Sequence, residues 1–265
     1  TMLDAKNLEL AGCYHQEPMS YPALLAWCEK QAELFAPYIC DTGSYLSQAL
    51  LEGKKVVLEA QLGAMRDIDY GIFPYTSSSS TIAAYGPIGA GIPGTSLDHI
   101  VGVLKAYSTC VGAGPFVAEK GMSESWREEL RQAGGEYGAA TGRPRRVGPF
   151  DAVASRYGLK CQNADQIALT KLDVLSSLKE IPLIIAYQKG AEKITEFDPT
   201  EDMDNCIPVI EMVPGWQEAI SGCRTYEELP KNAKNYIETL ERLLNHKIQM
   251  ISVGARRDQY LMKEI

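Results

Sequence analysis

No C-x-x-C pair and no apolar run near the roughly 20 residues of a membrane span occur in this sequence. The seven cysteines, at positions 13, 28, 40, 110, 161, 206 and 223, are odd in number and widely separated. That pattern indicates neither a disulfide framework nor a zinc site and suits thiols kept reduced in a cytosol. The opening TMLDAKNLEL lacks the basic and apolar regions of a signal peptide. A cytoplasmic protein without membrane association is therefore expected. Histidine is scarce, with only His15, His99 and His246, and each is expected to be a surface or structural residue. Basic residues are outnumbered, 26 against 34 acidic ones, for a net charge of -8 and a pI near 5.1. Nucleic-acid binders carry a broad basic face, so a nucleic-acid partner is disfavoured and a small anionic ligand fits better. There is no internal repeat.

What is present suffices for a buried core, with 45% hydrophobic residues in a chain of 265. Leu24, Leu25, Cys28, Ala32 and Phe35 stand at helical spacing in 21–39, and SYLSQALLEG continues in that style to the stop at Gly53. KKVVLEA predicts a short buried strand, followed by a Ser-, Gly- and Pro-rich loop over about 60–96. The loop's Ile, Tyr and Phe content favours an ordered surface, although four consecutive serines also suit a linker. DHIVGVLKAYSTCVG is a helix or a strand, and SESWREELRQAGG is a helix with a Ser cap and a Gly134-Gly135 stop. FDAVASRYGLKCQ and NAKNYIETLERLLNH are further helices, with a loop containing VPGW over 203–229. QIALTKLDVL, IPLIIAYQKG and KIQMISVG are the strands. Alternating strands and helices imply an α/β fold with a central, mostly parallel sheet flanked by helices.

One stretch runs against the overall charge. GAATGRPRRVG, residues 138–148, holds Arg143, Arg145 and Arg146 within four positions. Like charges so close repel unless solvated or compensated by an anion. Gly138 and Gly142 permit close backbone approach, Pro144 stiffens the segment, and arginine captures carboxylate or phosphate bidentately. Because FDAVASRYG follows, the loop is expected at a helix N-terminus, where the dipole also favours anions.

TKLD at 170–173 follows the strand QIAL directly, placing Lys171 and Asp173 at the carboxyl edge of the sheet. An Asp carboxylate accepts two hydrogen bonds from the N1 and N2 hydrogens of guanine, while a Lys stem covers the base. A surface salt bridge at a strand end explains the same four letters equally well. The backbone of SVG, Ser252, Val253 and Gly254, could complete a pocket.

Taken in order, LEGKKVVLEAQLGAMRDIDYGIFPYTSS, KAYSTCVGAGPF, GGEYGAATGRPRR, LTKLDVL, IAY, VPGW, LPKNAKNYI and ISVG resemble adenylosuccinate synthetase across about residues 20–260. The resemblance implies that fold, shortened to its C-terminal two-thirds. Residues 1–265 would form a single α/β domain, with 1–55 a helical lead-in and 56–265 a nucleotide- and aspartate-binding core. It implies a ligase of purine nucleotide biosynthesis that joins L-aspartate to IMP with GTP and Mg2+, as a homodimer. In that family GTP phosphorylates the 6-oxygen of IMP and the aspartate amine then displaces the phosphate. Carried over by position, Ala139, Ala140, Thr141, Gly142, Arg143 and Arg145 form the aspartate loop. Arg143 would also lie near IMP, Arg145 near GTP, and Ser77 where the family has an IMP-contacting Thr. Lys171, Leu172, Asp173, Ser252, Val253 and Gly254 form the guanine site, and Arg146 is left as a structural or surface residue.

The family's P-loop-like GDEGKGK and its catalytic Asp, His and phosphate-binding Lys have no counterpart here, so no catalytic or metal residue is assigned. Leu62 stands where an IMP-binding Gln is expected, Cys110 replaces Arg, and Ala140 replaces Thr. Three readings follow: a synthetase whose N-terminal third is absent from this chain, a non-catalytic guanine-nucleotide-binding homologue, or a variant ligase joining aspartate to another purine nucleotide. No turnover by the chain alone is expected.

Overall fold

Whether a helix buries a face decides which part of this chain carries a core. The computed structural model describes residues 1–264 and divides into two units, Thr1–Val56 with Ala90–Ile92, and Val57–Gly89 with Pro93–Ile265. The first unit contains helices α1 (Met2–Cys13), α2 (Tyr21–Phe35) and α3 (Thr42–Leu51). Neither α1 nor α2 buries a residue, and α3 buries only Ala49. Caps define their starts: the side chains of Thr1, Ser20 and Asp41 accept from Asp4, Ala23 and Ser44 amides.

The second unit runs α4 (Gly86–Gly89), β1 (Val101–Lys105), β2 (Ser108–Cys110), α5 (Glu124–Gly134), β3 (Arg146–Gly148), β4 (Phe150–Asp151), α6 (Ala152–Gln162) and β5 (Gln166–Thr170). It continues with β6 (Glu180–Lys189), β7 (Glu192–Ile194), β8 (Ile207–Pro214), α7 (Lys231–Leu244), β9 (Ile248–Ser252) and β10 (Tyr260–Met262). The main sheet has the order β1-β5-β9-β10, with the first three parallel and β10 antiparallel. The expected central, mostly parallel α/β sheet is therefore present. In a second sheet β6 pairs parallel with β4 and antiparallel with β7 and β8, and β2 with β3 forms a two-stranded ribbon.

The core follows from period. On α7, Ala233, Tyr236, Ile237, Leu240 and Leu244 recur at helical spacing and are all buried. They pack with Ile167 and Leu169 of β5 and Ile248 and Ile251 of β9. The Tyr236 hydroxyl meets the polar requirement of its burial by donating to the Ala106 carbonyl at 2.6 Å.

Three expectations are corrected. KKVVLEA forms no strand, and Val57 is 91% exposed. Its β-branched residues meet no ladder partner among the described residues, and propensity without pairing does not make a strand. The 203–229 stretch is not all loop, because β8 pairs along most of β6. The arginine loop does not sit at a helix N-terminus. Extended residues of β3 and β4 intervene before α6, whose start is capped by Asp151, with Oδ1 accepting from the Ala154 amide at 3.0 Å. The 60–96 loop is ordered by buried Asp67, whose Oδ1 accepts from the Asp69 and Tyr70 amides at 2.9 and 3.0 Å and Oδ2 from Thr81 at 2.6 Å.

Asp151 is itself buried, and its Oδ2 accepts from the Tyr187 hydroxyl at 2.6 Å. Burial pushes its carboxyl up to about 6 from an ordinary 3.8, against the opposing effect of the Tyr187 hydrogen bond. Between those values the folded chain retains a proton that the unfolded chain loses, so this group's contribution to stability falls as pH rises across the window. An Asp151→Asn variant lacks that penalty. Its urea midpoint relative to the native chain should therefore shift in its favour between pH 4 and pH 7, and a difference constant with pH would refute the assignment.

Candidate functional site

Parallel neighbours end on the same edge of a sheet, and that geometry assembles the first half of the site. Leu169 of β5 is in register with Ile251 of β9, so the segments Lys171–Asp173 and Ser252–Gly254 leave the carboxyl edge side by side. Lys171 adopts φ 61, ψ 30, a left-handed conformation rare for a residue with a side chain, before a short 3-10 turn over Leu172–Leu175. Leu172 and Val253 are fully buried, so they can offer a ligand main chain but not side chain. The Ser252 hydroxyl donates to the Gly254 carbonyl at 2.9 Å.

The second half is built around Glu136, whose side chain is 0% exposed. Lys105 Nζ donates to Oε1 at 2.9 Å and to Oε2 at 3.0 Å. The Tyr107 hydroxyl donates to Oε1 at 2.7 Å, Arg145 Nη1 donates to Oε2 at 2.9 Å, and Lys171 Nζ lies 3.6 Å from Oε1. Burial alone would raise the Glu136 carboxyl, but the hydrogen bonds from Lys105 and Tyr107 and the charges of Lys105 and Lys171 outweigh it and hold it below the ordinary value. Burial lowers the Lys105 ammonium, with Arg145 and Lys171 adding to that effect and Glu136 opposing it. Burial also pushes the Tyr107 phenol up, aided by Glu136 and by the charge of Asp173 and opposed by Arg145. The carboxylate of Asp173 and the guanidinium of Arg145 are thus felt at one hydroxyl.

The three arginines are compensated unequally. Successive residues of an extended chain face opposite ways, and Arg145 and Arg146 reach different carboxylates. Arg145 takes Glu136, while Arg146 Nε donates to Glu119 Oε2 at 2.8 Å and its guanidinium lies 5.3 Å from the Phe116 ring centre. Arg146 is therefore structural. Exposed Arg143 has no acidic partner among the described residues, and Arg145 Nε is buried without an acceptor. An orphaned buried donor is costly, and an anion at this turn would relieve both deficits.

The turn itself is a narrow hairpin. Gly138 N donates to the Arg143 carbonyl and Gly142 N to the Gly138 carbonyl, both at 2.8 Å, and Tyr137 bridges Pro144. Gly142 has φ 64, and a Cβ at Gly138 would stand 2.8 Å from Thr141 Oγ1. Ala139, Ala140, Thr141 and Gly142 are exposed. Thr141 Oγ1 accepts from the Arg143 amide at 3.3 Å.

Ser77 lies on a neighbouring loop, its hydroxyl donating to the Ser79 carbonyl at 3.1 Å and its amide to the Arg66 carbonyl at 2.8 Å. Arg66 Nη2 in turn donates to Cys110 Sγ at 2.8 Å and to the Val111 and Ala113 carbonyls at 3.0 Å. Cys110 is in register with Arg146, which links this loop to the strand leaving the arginine turn. Leu62 is exposed with φ 76. Among the described residues no group of three or more His, Cys, Asp or Glu could hold a metal ion.

Glu136, Lys105 and Tyr107 escaped the sequence reading. The available signal was the stretch KAYST, where the polar side chains of Lys105, Tyr107 and Thr109 alternate at a spacing of two, together with the lone acid in GGEYG.

The sequence profile of the adenylosuccinate synthetase family matches residues 1–261. The adenylosuccinate synthetase of Frankia alni is 42% identical over 261 residues, 98% of this chain and 61% of that protein. That of Trichlorobacter lovleyi is 43% identical over 263 residues, 98% of this chain and 60% of that protein. A solved structure, fully ligated adenylosuccinate synthetase from Plasmodium falciparum, is similar with a TM-score of 0.81 at 38% identity, over 89% of this chain and 58% of that one. The chain thus spans about three fifths of the length of the curated relatives it matches.

Removing one partner of a buried ion cluster leaves uncompensated charge. Glu136→Ala should therefore lower the unfolding free energy by about 3–5 kcal/mol, read from urea denaturation. A loss below about 1 kcal/mol, the size of an exposed pair, would contradict the burial described here.

Proposed function

The chain belongs to the adenylosuccinate synthetase family, and from that premise we propose that it carries the guanine-nucleotide and L-aspartate recognition of a GTP-dependent ligase joining L-aspartate to IMP. The observation that carries this reading is the shared carboxylate. Lys171, beside the candidate base reader Asp173, and Arg145, in the candidate aspartate loop, both meet Glu136.

In this reading the Asp173 carboxylate accepts the N1 and N2 hydrogens of guanine, and the Lys171 stem lies over the base. Main chain of Leu172, Val253 and Gly254 and the Ser252 hydroxyl close the pocket. Thr141 and Arg143 hold the carboxylates of L-aspartate, leaving its amine free to attack. Arg145 serves both ligands, one nitrogen pinned by Glu136 and Nε lacking a partner. Ser77 offers a hydroxyl to IMP. Bound Mg2+ would neutralise phosphate charge in such a reaction. Since the described residues form no three-ligand cage, magnesium would depend on phosphate oxygens and ligands outside this set, and no step is assigned through it. A cytoplasmic homodimer is the setting that accompanies this reading.

A second reading applies to the nucleotide half. Leu62 and Ala140 carry no side-chain donor, and the Cys110 thiol is taken up by Arg66. Fewer polar contacts to an IMP-like ligand favour a ligase that accepts another purine nucleotide, and competition between IMP and other purine monophosphates for the chain distinguishes the two.

Calorimetric titration of the chain should show GTP bound in preference to ATP, and Asp173→Ala should weaken GTP about tenfold or more while leaving ATP unchanged. Equal binding of GTP and ATP by the native chain would falsify the guanine assignment. Arg143→Ala should weaken succinate, the amine-free analogue of aspartate, by about tenfold with an unchanged circular dichroism spectrum. Undiminished succinate binding by that folded variant would remove Arg143 from the site.

A further inference from the structure

Glu136 lies outside the residues assigned to either ligand, yet it is hydrogen-bonded to Arg145 of one set and ion-paired with Lys171 of the other. Its carboxylate oxygens are divided between them. Oε1 takes Tyr107 at 2.7 Å with Lys171 at 3.6 Å, Oε2 takes Arg145 at 2.9 Å, and Lys105 spans both. The main chain repeats the division. The Glu136 carbonyl accepts the Arg145 amide at 2.9 Å, and the Gly134 carbonyl accepts Lys171 Nζ at 2.5 Å. A Cβ on Gly134 would stand 2.3 Å from the Tyr107 hydroxyl, so glycine is what lets the end of α5 close on that phenol. The three residues 134–136 therefore hold the guanine corner on one side and the arginine turn on the other.

We propose that Glu136 is a positioning residue that couples the two ligand sites, so that occupation of the guanine pocket tightens binding of the dicarboxylate. A carboxylate is a rigid plane, and its two oxygens cannot move independently. Fixing Lys171 over a base sets the orientation of Oε1, and with it the place where Oε2 presents Arg145. Three cations around one buried carboxylate also make the cluster respond to added negative charge as a unit, since the low-dielectric interior screens them little. By linkage the effect is reciprocal: succinate tightens GTP by the same factor.

This inference rests on the guanine and aspartate assignments, and the experiment separates the two. Succinate affinity is measured by calorimetry with and without saturating GTP, in the native chain and in Glu136→Gln. The native chain should bind succinate about fivefold or more tighter with GTP present. Glu136→Gln should still bind each ligand alone, with the ratio reduced to near one. A native ratio within about twofold of one, or a Glu136→Gln variant keeping the full native ratio, overturns the proposal. If Glu136→Gln is unfolded by circular dichroism, Tyr107→Phe replaces it, since it keeps the carboxylate and removes one hold on Oε1. Its ratio should fall by at least about half, and an unchanged ratio overturns the proposal. Absence of GTP or succinate binding to the native chain is instead a failure of the functional assignments.

Discussion

A carboxylate fully removed from water with three cations within reach is the constraint on which this site depends. Glu136 accepts hydrogen bonds from Lys105, Tyr107 and Arg145 at once and draws Lys171 toward it. Desolvating such a group is costly, and only the density of donors around it keeps it ionised. Because Lys105 ends β1, Arg145 immediately precedes β3 and Lys171 immediately follows β5, the cluster fixes three chain segments relative to one another. The excess of positive charge that remains makes this corner of an acidic protein locally suited to an anion. The bulk charge lies elsewhere, and the cations here outnumber the acid they share.

Helix polarity works in the same direction. The carbonyl end of α5 faces the Lys171 ammonium through Gly134, where the helix dipole favours a cation. That placement holds Lys171 without using up the Asp173 carboxylate. The left-handed turn at Lys171 is an energetic cost of the kind found where a binding edge must redirect a strand abruptly. Tyr107 joins these features: its hydroxyl lies within the fields of Glu136, Asp173 and Arg145, and its approach to α5 requires the missing side chain of Gly134.

Much of the fold was legible because local pattern and tertiary role agree. The amphipathic spacing of α7, the apolar runs of β5 and β6, and the Ser123 cap and Gly134-Gly135 stop of α5 each satisfy their own backbone and bury their own apolar face. KKVVLEA misled for the opposite reason: its β-branched residues need a partner strand that the described residues do not supply. The 203–229 stretch misled because β8 depends on long-range pairing with β6 for its ladder, and nothing in the local letters reports that pairing.

For the site, the sequence by itself determined the chemistry on offer: arginines on a glycine-hinged turn, an acid and a lysine at a strand end, and ordered motifs sufficient to identify a family. Only the tertiary structure decided how those groups are used. Arg145 and Arg146 differ by one position, yet they serve different carboxylates because an extended chain alternates its faces. Glu136, inconspicuous in GGEYG, became central because folding carries Lys105 and Lys171, 31 and 35 positions away in the chain, to its two oxygens. Spacing along a chain fixes which side chains share a face, whereas the burial that gives a charge its strength arises only when distant segments close around it.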